Sequence, residues 1–429
     1  MRWLYMKLSF KWKISKVDEQ KLEIIKDLQW HVKKVCNMLL YDIREGNEKI
    51  DTNKNLNIIS SKIYSNYRVN NWHSKYLHSH MLQEAILGII GSYESYMSLC
   101  DMYEKDKNSL KWKPRFPKFK KEKTNQEIIF TKYAIRIEGN KIKLSLSKSM
   151  QEKYEVKSLN FLIPRKLRKL VDFSKIKMIK IKQEGDSIEM NVIYEKEEKA
   201  QVIANTNIMA IDLGLNNIVA CTNKDNANSL LVSGKEAKCK NKYINEKIRR
   251  LQQIQMKMEK TSKNFKNTNQ INRLYEYRKN YMNTYMHKVS KMVIEYAKEN
   301  KCGIIVIGEL KDIKQGMDYN KNFVQIPINK LVQKIEYKAK LEGIKVEKIS
   351  EKYTSGVSAI DKEEIKKENY NKKRRISRGM FITNTGVKIN ADINGSLNIL
   401  RKYIKSSNPN QEIAMDNGRE QRPLKKRVA

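Results

Sequence analysis

The stretch "IMAIDLGLNNIVA", residues 208–220, frames the fold question. Four uncharged, mostly apolar residues run into the carboxylate of Asp212, and Leu213-Gly214 follows. Apolar runs of this kind build the interior strand of a sheet. The segments "IMAID", "NIVACT" and "SLLVSG" lie close together, which predicts an antiparallel meander. Asp212 either fixes the turn after its strand or does chemistry there.

Two further acids share this context. Glu309 ends a second apolar strand, "GIIVIGEL" (303–310), and Asp392 stands in "INADINGSLNIL" at the entry to a helix. Each has an ordinary reading by itself. A Glu after a strand can pair with a lysine, and an Asp before a helix is a common N-terminal cap. Two acids at strand ends plus one at a helix start is also how a ribonuclease-H-type sheet builds a metal site. Phosphodiester hydrolysis needs a deprotonated water and a stabilised leaving oxygen, and two Mg²⁺ ions about 4 Å apart supply both. Such hard cations prefer oxygen ligands. Clustered carboxylates repel one another without a cation, so the arrangement makes poor scaffolding.

The charge balance points to the substrate class. Of 429 residues, 87 are Lys or Arg and 48 are Asp or Glu, a net charge of +39. An excess this large attracts a polyanion, most simply nucleic acid. The five cysteines are dispersed, with no CxxC pair, so neither a disulfide framework nor a zinc ribbon is expected. No apolar run is long enough to cross a membrane, and "MRWLYMKLSF" does not read as a signal peptide. A reducing, cytoplasmic setting is expected.

The amino-terminal half reads as a β-domain carrying a helical insertion. Leu8, Phe10, Trp12 and Ile14 alternate along a strand, then Ile25, Leu28, Val32, Val35 and Leu39 recur at helical spacing. A second helical block is expected from about His73 to Lys105. Two hairpins follow, "AIRIEGNKIKLSLS" and "MIKIKQEGDSIEMNVIYE". Between them and the helices, "KWKPRFPKFKK" (111–121) interleaves cations with rings. Such a pattern suits phosphate contact plus stacking, which makes Lys113, Arg115, Phe116, Lys118, Phe119 and Lys120 candidate nucleic-acid contacts. Beyond the meander, two helical stretches, roughly 241–262 and 269–299, form an antiparallel hairpin whose outer face carries Arg249 and Arg250. A helix near 328–342 and the strand "KVEKI" come next. Residues 352–389 are polar and irregular, and the tail after Lys405 reads as disordered.

The segments "AIDLGLNN", "IIVIGEL" and "INADINGSLNILRK" resemble the three RuvC motifs of TnpB proteins, which insertion sequences encode and to which compact type V CRISPR effectors are related. "EKIRRLQQIQMKM", "NFVQIPINKLVQKIEYKAKLEGIKVEKISEKYTS" and "RRISRGMF" are similar to further stretches of that family. The resemblance implies an α+β multidomain chain. Its parts would be a β-barrel-like wedge domain (1–20 and 106–200), a helical recognition domain (21–105) and an RNase-H-like RuvC α/β domain (201–404). The last would carry a helical-hairpin insertion (241–300) and a target-nucleic-acid-binding insertion (352–389). The implied activity is RNA-guided DNA cleavage with two Mg²⁺ ions held by Asp212, Glu309 and Asp392. The implied partners are a guide RNA and duplex DNA bearing a short adjacent motif, with the protein near the bacterial nucleoid; monomer and dimer both stay open, the monomer favoured. Many relatives carry CxxC pairs between the second and third motifs, whereas this chain has none there, so no structural zinc is expected. Tyr353, Arg374, Arg375 and Arg378 are candidate nucleic-acid contacts in that cysteine-free interval. The alternatives are a guided DNA-binding repressor that does not cut, a compact CRISPR effector, and an RNase-H-like recombinase acting without RNA.

Overall fold

The computed structural model describes residues 5–15, 17–48, 50, 56–122, 126–184, 187–198, 207–225, 228–259, 267–309, 326–377, 379–407 and 423–428. They fall into two units, Met1–Glu197 and Glu198–Ala429. Arg378 and most of the tail lie outside the described residues.

In the first unit, β1 (Tyr5–Ile14) turns Leu8, Phe10, Trp12 and Ile14 toward the core, as a period of two requires. Asp18 caps α1 (Glu19–Glu45) by accepting from Lys21 N, and Gly46 ends it in the left-handed region. The expected stripe Ile25, Leu28, Val32, Val35 and Leu39 is buried. A helix that the periodicity did not flag, α2 (Leu56–Asn70), comes next. The expected block from His73 is interrupted. Asn71 caps a short 3₁₀ turn at Trp72–Tyr76, Leu77 is extended, and α3 runs Ser79–Lys105.

The strands that follow are β2 (Ile128–Thr131), β3 (Ile135–Glu138) and β4 (Lys141–Ser145), then α4 (Lys148–Tyr154) and β5 (Ser158–Leu162). The unit closes with α5 (Arg165–Leu170), β6 (Ile176–Glu184) and β7 (Ser187–Glu197). Both expected hairpins form, β3–β4 and β6–β7. The expected barrel does not appear among the described residues. The strands make two separate sheets, β1-β7-β6-β2 and β3-β4-β5. The 3₁₀ turn at Lys132–Ala134 carries the chain from the first to the second.

In the second unit, β8 (Asn207–Leu213), β9 (Asn217–Asn223) and β10 (Leu230–Ser233) form the expected antiparallel meander. Helices α6 (Lys235–Glu259) and α7 (Asn269–Glu299) follow, with Ile244 and Ile248 packed on Ile271. Next come β11 (Cys302–Glu309), α8 (Ile328–Leu341) and β12 (Lys345–Ser350). The hairpin β13 (Met380–Ile382) and β14 (Lys388–Asn390) leads into α9 (Ala391–Ser407), and β15 (Leu424–Lys426) is last. The sheet order is β12-β11-β8-β9-β10-β15, with β8, β11 and β12 parallel. The expectation of a disordered tail is corrected at its end. Leu424 and Lys426 pair with Leu230 and Val232, and Val428 is buried, so the sheet edge and the core hold residues 423–428.

Each face of this sheet has its own cover. Met209, Ile211, Leu213, Ile305 and Ile307 pack against α7 and α8 through Val289, Val293, Leu331 and Ile335. Ala210 and Val306 face the other way, onto Ile399, Leu400 and Ile404 of α9. The alternation along β8 therefore puts Asp212 on the α9 side.

Candidate functional site

Asp212 is paired across the sheet with Ala220 and precedes Leu213, the last residue of β8. Its carboxylate lies against the backbone of α9, and a Cβ at Gly395 would come within 2.8 Å of Asp212 Oδ2. Only glycine at 395 allows that approach. Burial, then the charges of Glu351 and Asp392, raise the Asp212 pKa well above the usual carboxylate range, and Arg375 opposes the shift.

Asp392 reaches the same face from the start of α9. The helix is capped by Asn390, whose Oδ1 accepts from the backbone N–H groups of Asp392 (3.0 Å) and Ile393 (3.2 Å). Asp392 is thereby freed from capping, and its negative charge sits favourably at the helix N-terminus. Asn217 Nδ2 donates to Asp392 Oδ2 at 2.8 Å, and Arg375 Nη2 stands 3.8 Å from Oδ1. The second asparagine of "DLGLNN" thus ties the first motif to the last. Sequence reading missed this role, because a turn asparagine needs no further explanation.

Apart from the half-buried Asp392, the first turns of α9 are buried, polar residues included. Asn394 accepts from Ala359 N and donates to Val357 O, and Asn398 donates to Thr354 O and Val357 O. Ser396 donates to Ala210 O at 2.9 Å. Each buried polar group is satisfied, and each bond clips the 354–359 loop or β8 to the helix that carries Asp392.

Glu309 does not join this face. It pairs in register with Ser350, one residue past Gly308, so the pleat points it away from Asp212. It lines a groove on the α8 side with Leu213, Gln333, Glu336 and Lys348. The expectation that Asp212, Glu309 and Asp392 converge is corrected on this point, because one step of register separates the two faces. The acid that does approach Asp212 is Glu351, directly after β12. Burial lifts its pKa to about 7, and among the described residues its shielded Oε1 has no hydrogen-bond partner. Period-two counting from Ile349, which packs on α9, would have flagged it.

A divalent cation fits this donor set. The oxygens are hard ligands, one of them is a buried orphan, and glycines at 308 and 395 leave room beside Glu351 and Asp212. Among the described residues no three acidic, His or Cys side chains stand close enough to cage an ion as they are. Asp392 is instead drawn toward Asn217 and Arg375, whose guanidinium offsets the acids.

The candidate nucleic-acid contacts divide in two. Lys113, Arg115, Lys118 and Phe119 are exposed, and the last three line an open groove with Tyr93, Tyr96 and Arg44. Phe116 packs edge-on against Tyr96 at 5.5 Å. Lys120 is tied to Asn37 and Cys36. Arg374 is held by Glu363 at 2.7 Å. Phe116 also lines that groove, while Lys120 and Arg374 are held by protein partners. Arg249 and Arg250 share Glu246 on an exposed helix face. Tyr353, in the left-handed region at φ 69°, meets Tyr370 edge-on.

Residues 191–314 match the OrfB_IS605 family, a probable transposase, and residues 329–399 match the Cas12f1-like TNB domain. The TnpB resemblance stands. The two matches cover the strands and the helix that carry Asp212, Glu351 and Asp392. No curated protein matches the chain. Among solved structures, Cas12f1 in a complex with sgRNA and target DNA superposes with a TM-score of 0.62 at 16% identity, over 89% of this chain and 83% of that one. The mini-RNA-guided endonuclease CRISPR-Cas phi3 gives 0.50 at 10% identity, over 96% and 94%. These likenesses establish a mixed α/β fold of the compact type V effector kind.

Proposed function

We propose that the protein is an RNA-guided DNA endonuclease of TnpB type, associated with an insertion sequence. One observation carries the reading: Asp212 and Asp392, from distant parts of the chain, meet on one face of a sheet in a fold shared with Cas12f1. In this reading unit Glu198–Ala429 is the RuvC nuclease domain, and the 352–389 segment contacts target nucleic acid without zinc. Unit Met1–Glu197 supplies the wedge and recognition domains. Asp212 and Asp392 hold two Mg²⁺ ions, which when bound supply an activated water and stabilise the leaving oxygen. Asn217 and Asn390 position Asp392, and Gly395 gives the Asp212 carboxylate its place beside the helix.

The partners are a guide RNA and duplex DNA with a short adjacent motif, in the bacterial cytoplasm, with a monomer favoured over a dimer. The +39 charge supports a polyanion partner. Arg115, Lys118 and Phe119 are the best-placed contacts in the first unit. Purification should yield one discrete copurifying RNA, and the complex should cut DNA matching its guide in Mg²⁺. Protein that purifies free of RNA and still binds DNA would refute the guided reading.

A second reading, guided DNA binding without cleavage, is favoured by one feature. Glu309, the acid expected from the second motif, faces away from the site. Cleavage then depends on whether another acid has taken its place.

A further inference from the structure

We propose that Glu351, not Glu309, completes the metal-binding carboxylates with Asp212 and Asp392. The inference rests on the nuclease reading above and assigns the residue on which it turns.

The register carries the argument. Along β11, Val306 faces α9, Ile307 faces α8, Gly308 faces α9 and Glu309 faces α8. Ile307 pairs with Ile211, so Gly308 is the β11 residue that lies beside Asp212 on the α9 side. That position carries no side chain. Gly308 is also in register with Ile349 of β12, and Glu351 is two residues further along the same face. A Cβ on Gly308 would sit 2.2 Å from Glu351 Oε1 and 2.5 Å from its Cγ. The Glu351 side chain therefore occupies the volume that a residue at 308 would fill. Glycine at 308 and glutamate at 351 form one steric pair, a carboxylate supplied from the neighbouring strand.

The surroundings give that carboxylate a purpose. Among the described residues its buried Oε1 meets no hydrogen-bond partner. An acid kept for packing would be expected to meet a lysine or a backbone N–H. Among the described residues the charges acting on Asp212 are those of Glu351, Asp392 and Arg375, and Arg375 is already turned toward Asp392. A divalent cation supplies the missing partner for Glu351 and offsets its repulsion with Asp212. Glu309 is accounted for elsewhere, in the groove with Glu336 and Lys348.

The test measures Mn²⁺ binding by electron paramagnetic resonance on the full chain with its copurified RNA, alongside guided cleavage. Glu351→Gln should weaken Mn²⁺ binding at least about 10-fold and slow cleavage at least about 100-fold, while Glu309→Gln stays within about 3-fold in both. Wild-type Mn²⁺ affinity in Glu351→Gln, or loss of binding in Glu309→Gln, overturns the proposal. Asp212→Asn separates the two levels. If it binds Mn²⁺ normally, the nuclease reading itself fails; if it loses Mn²⁺ while Glu351→Gln does not, only the assignment of Glu351 fails. Should Glu351→Gln unfold, the exchange Gly308→Glu with Glu351→Gly returns the carboxylate to β11. Recovered Mn²⁺ binding supports the proposal, and a folded exchange variant without binding overturns it.

Discussion

The two faces of the central sheet in the second unit differ in kind, although the same strands make both. Toward α7 and α8, β8 and β11 present Met209, Ile211, Leu213, Ile305 and Ile307 to a large apolar cluster. Toward α9 the same strands present Ala210, Asp212, Val306 and Gly308, and the helix answers with Ser396 as well as Ile399 and Leu400, while Asn394 and Asn398 tie it to the 354–359 loop. The first face gains stability from buried apolar area. The second exchanges part of that area for a satisfied polar network and concentrates its acids at one end. One step of register decides which role a residue has, as Leu213 and Asp212 illustrate.

The sharpest break of this comparison is Asp392→Asn. It preserves shape and the contact with Asn217 while removing a charge from the acid end. Cleavage should fall by about 10³-fold or more, with guided DNA binding within about 3-fold by mobility shift. Cleavage at the wild-type rate would move the chemistry off the α9 face. Gly395→Ala probes the same face by sterics. The new Cβ, 2.8 Å from Asp212 Oδ2, must push the carboxylate aside. Displacement on the order of 1 Å costs about 10²-fold in rate, yet alanine gains about 1 kcal/mol of helix propensity over glycine. The expected signature is slower cutting with an unchanged or raised melting temperature. A lowered melting temperature with normal cutting would show that the helix, not the acid, gives way.

Much of this arrangement was legible beforehand, and the exceptions share a cause. The meander, the hairpin pairs and the α9 stripe follow from apolar periodicity, which local sequence records directly. The facing of Glu309 depends on where β11 stops and on its pairing with β12, which no local pattern states. The role of Glu351 needs the glycine on a neighbouring strand to be seen beside it. Arg374 looked available because its partner Glu363 belongs to a separate turn of the same irregular segment. Residues 424–426 looked disordered because a short, polar, lysine-rich edge strand gains its order from β10 rather than from its own composition.

A smaller effect is expected at Asn217. Its side chain holds Asp392 Oδ2 at 2.8 Å. Asn217→Ala should leave the acids in place but let Asp392 swing toward Arg375. Partners that orient a ligand are worth roughly 10-fold or more in metal affinity or activity. Titrating cleavage against Mg²⁺ should show the loss mainly as a raised metal requirement, recovered at high Mg²⁺. A loss that Mg²⁺ cannot restore would instead place Asn217 in the chemistry.

The mildest prediction sets the two faces against each other by pH. On the α9 face the Glu351 carboxyl is pushed up to about 7 by burial, so between its ordinary value and 7 the folded chain holds a proton that the unfolded chain has released. Its contribution to stability is complete at low pH and is lost as pH rises through 7. On the opposite face Lys338 of α8 donates to His287 O and to Ser290 Oγ, both at 2.7 Å, beside Lys334 and Lys291. Burial and those lysines depress it to about 8 from 10.5, so here the unfolded chain holds the extra proton. Its contribution is present above 10.5 and is lost as pH falls through 8. Melting temperatures of Glu351→Gln and Lys338→Met, each measured against wild type across this range, should trend in opposite directions. The Glu351→Gln difference should climb as pH rises to 7, and the Lys338→Met difference should shrink as pH climbs beyond 8. Mg²⁺ should flatten the first curve by competing with the proton for the carboxylate and leave the second untouched. Two curves of the same sign, or a Mg²⁺ effect on Lys338, would erase the distinction between a face built to bind an ion and one built to pack.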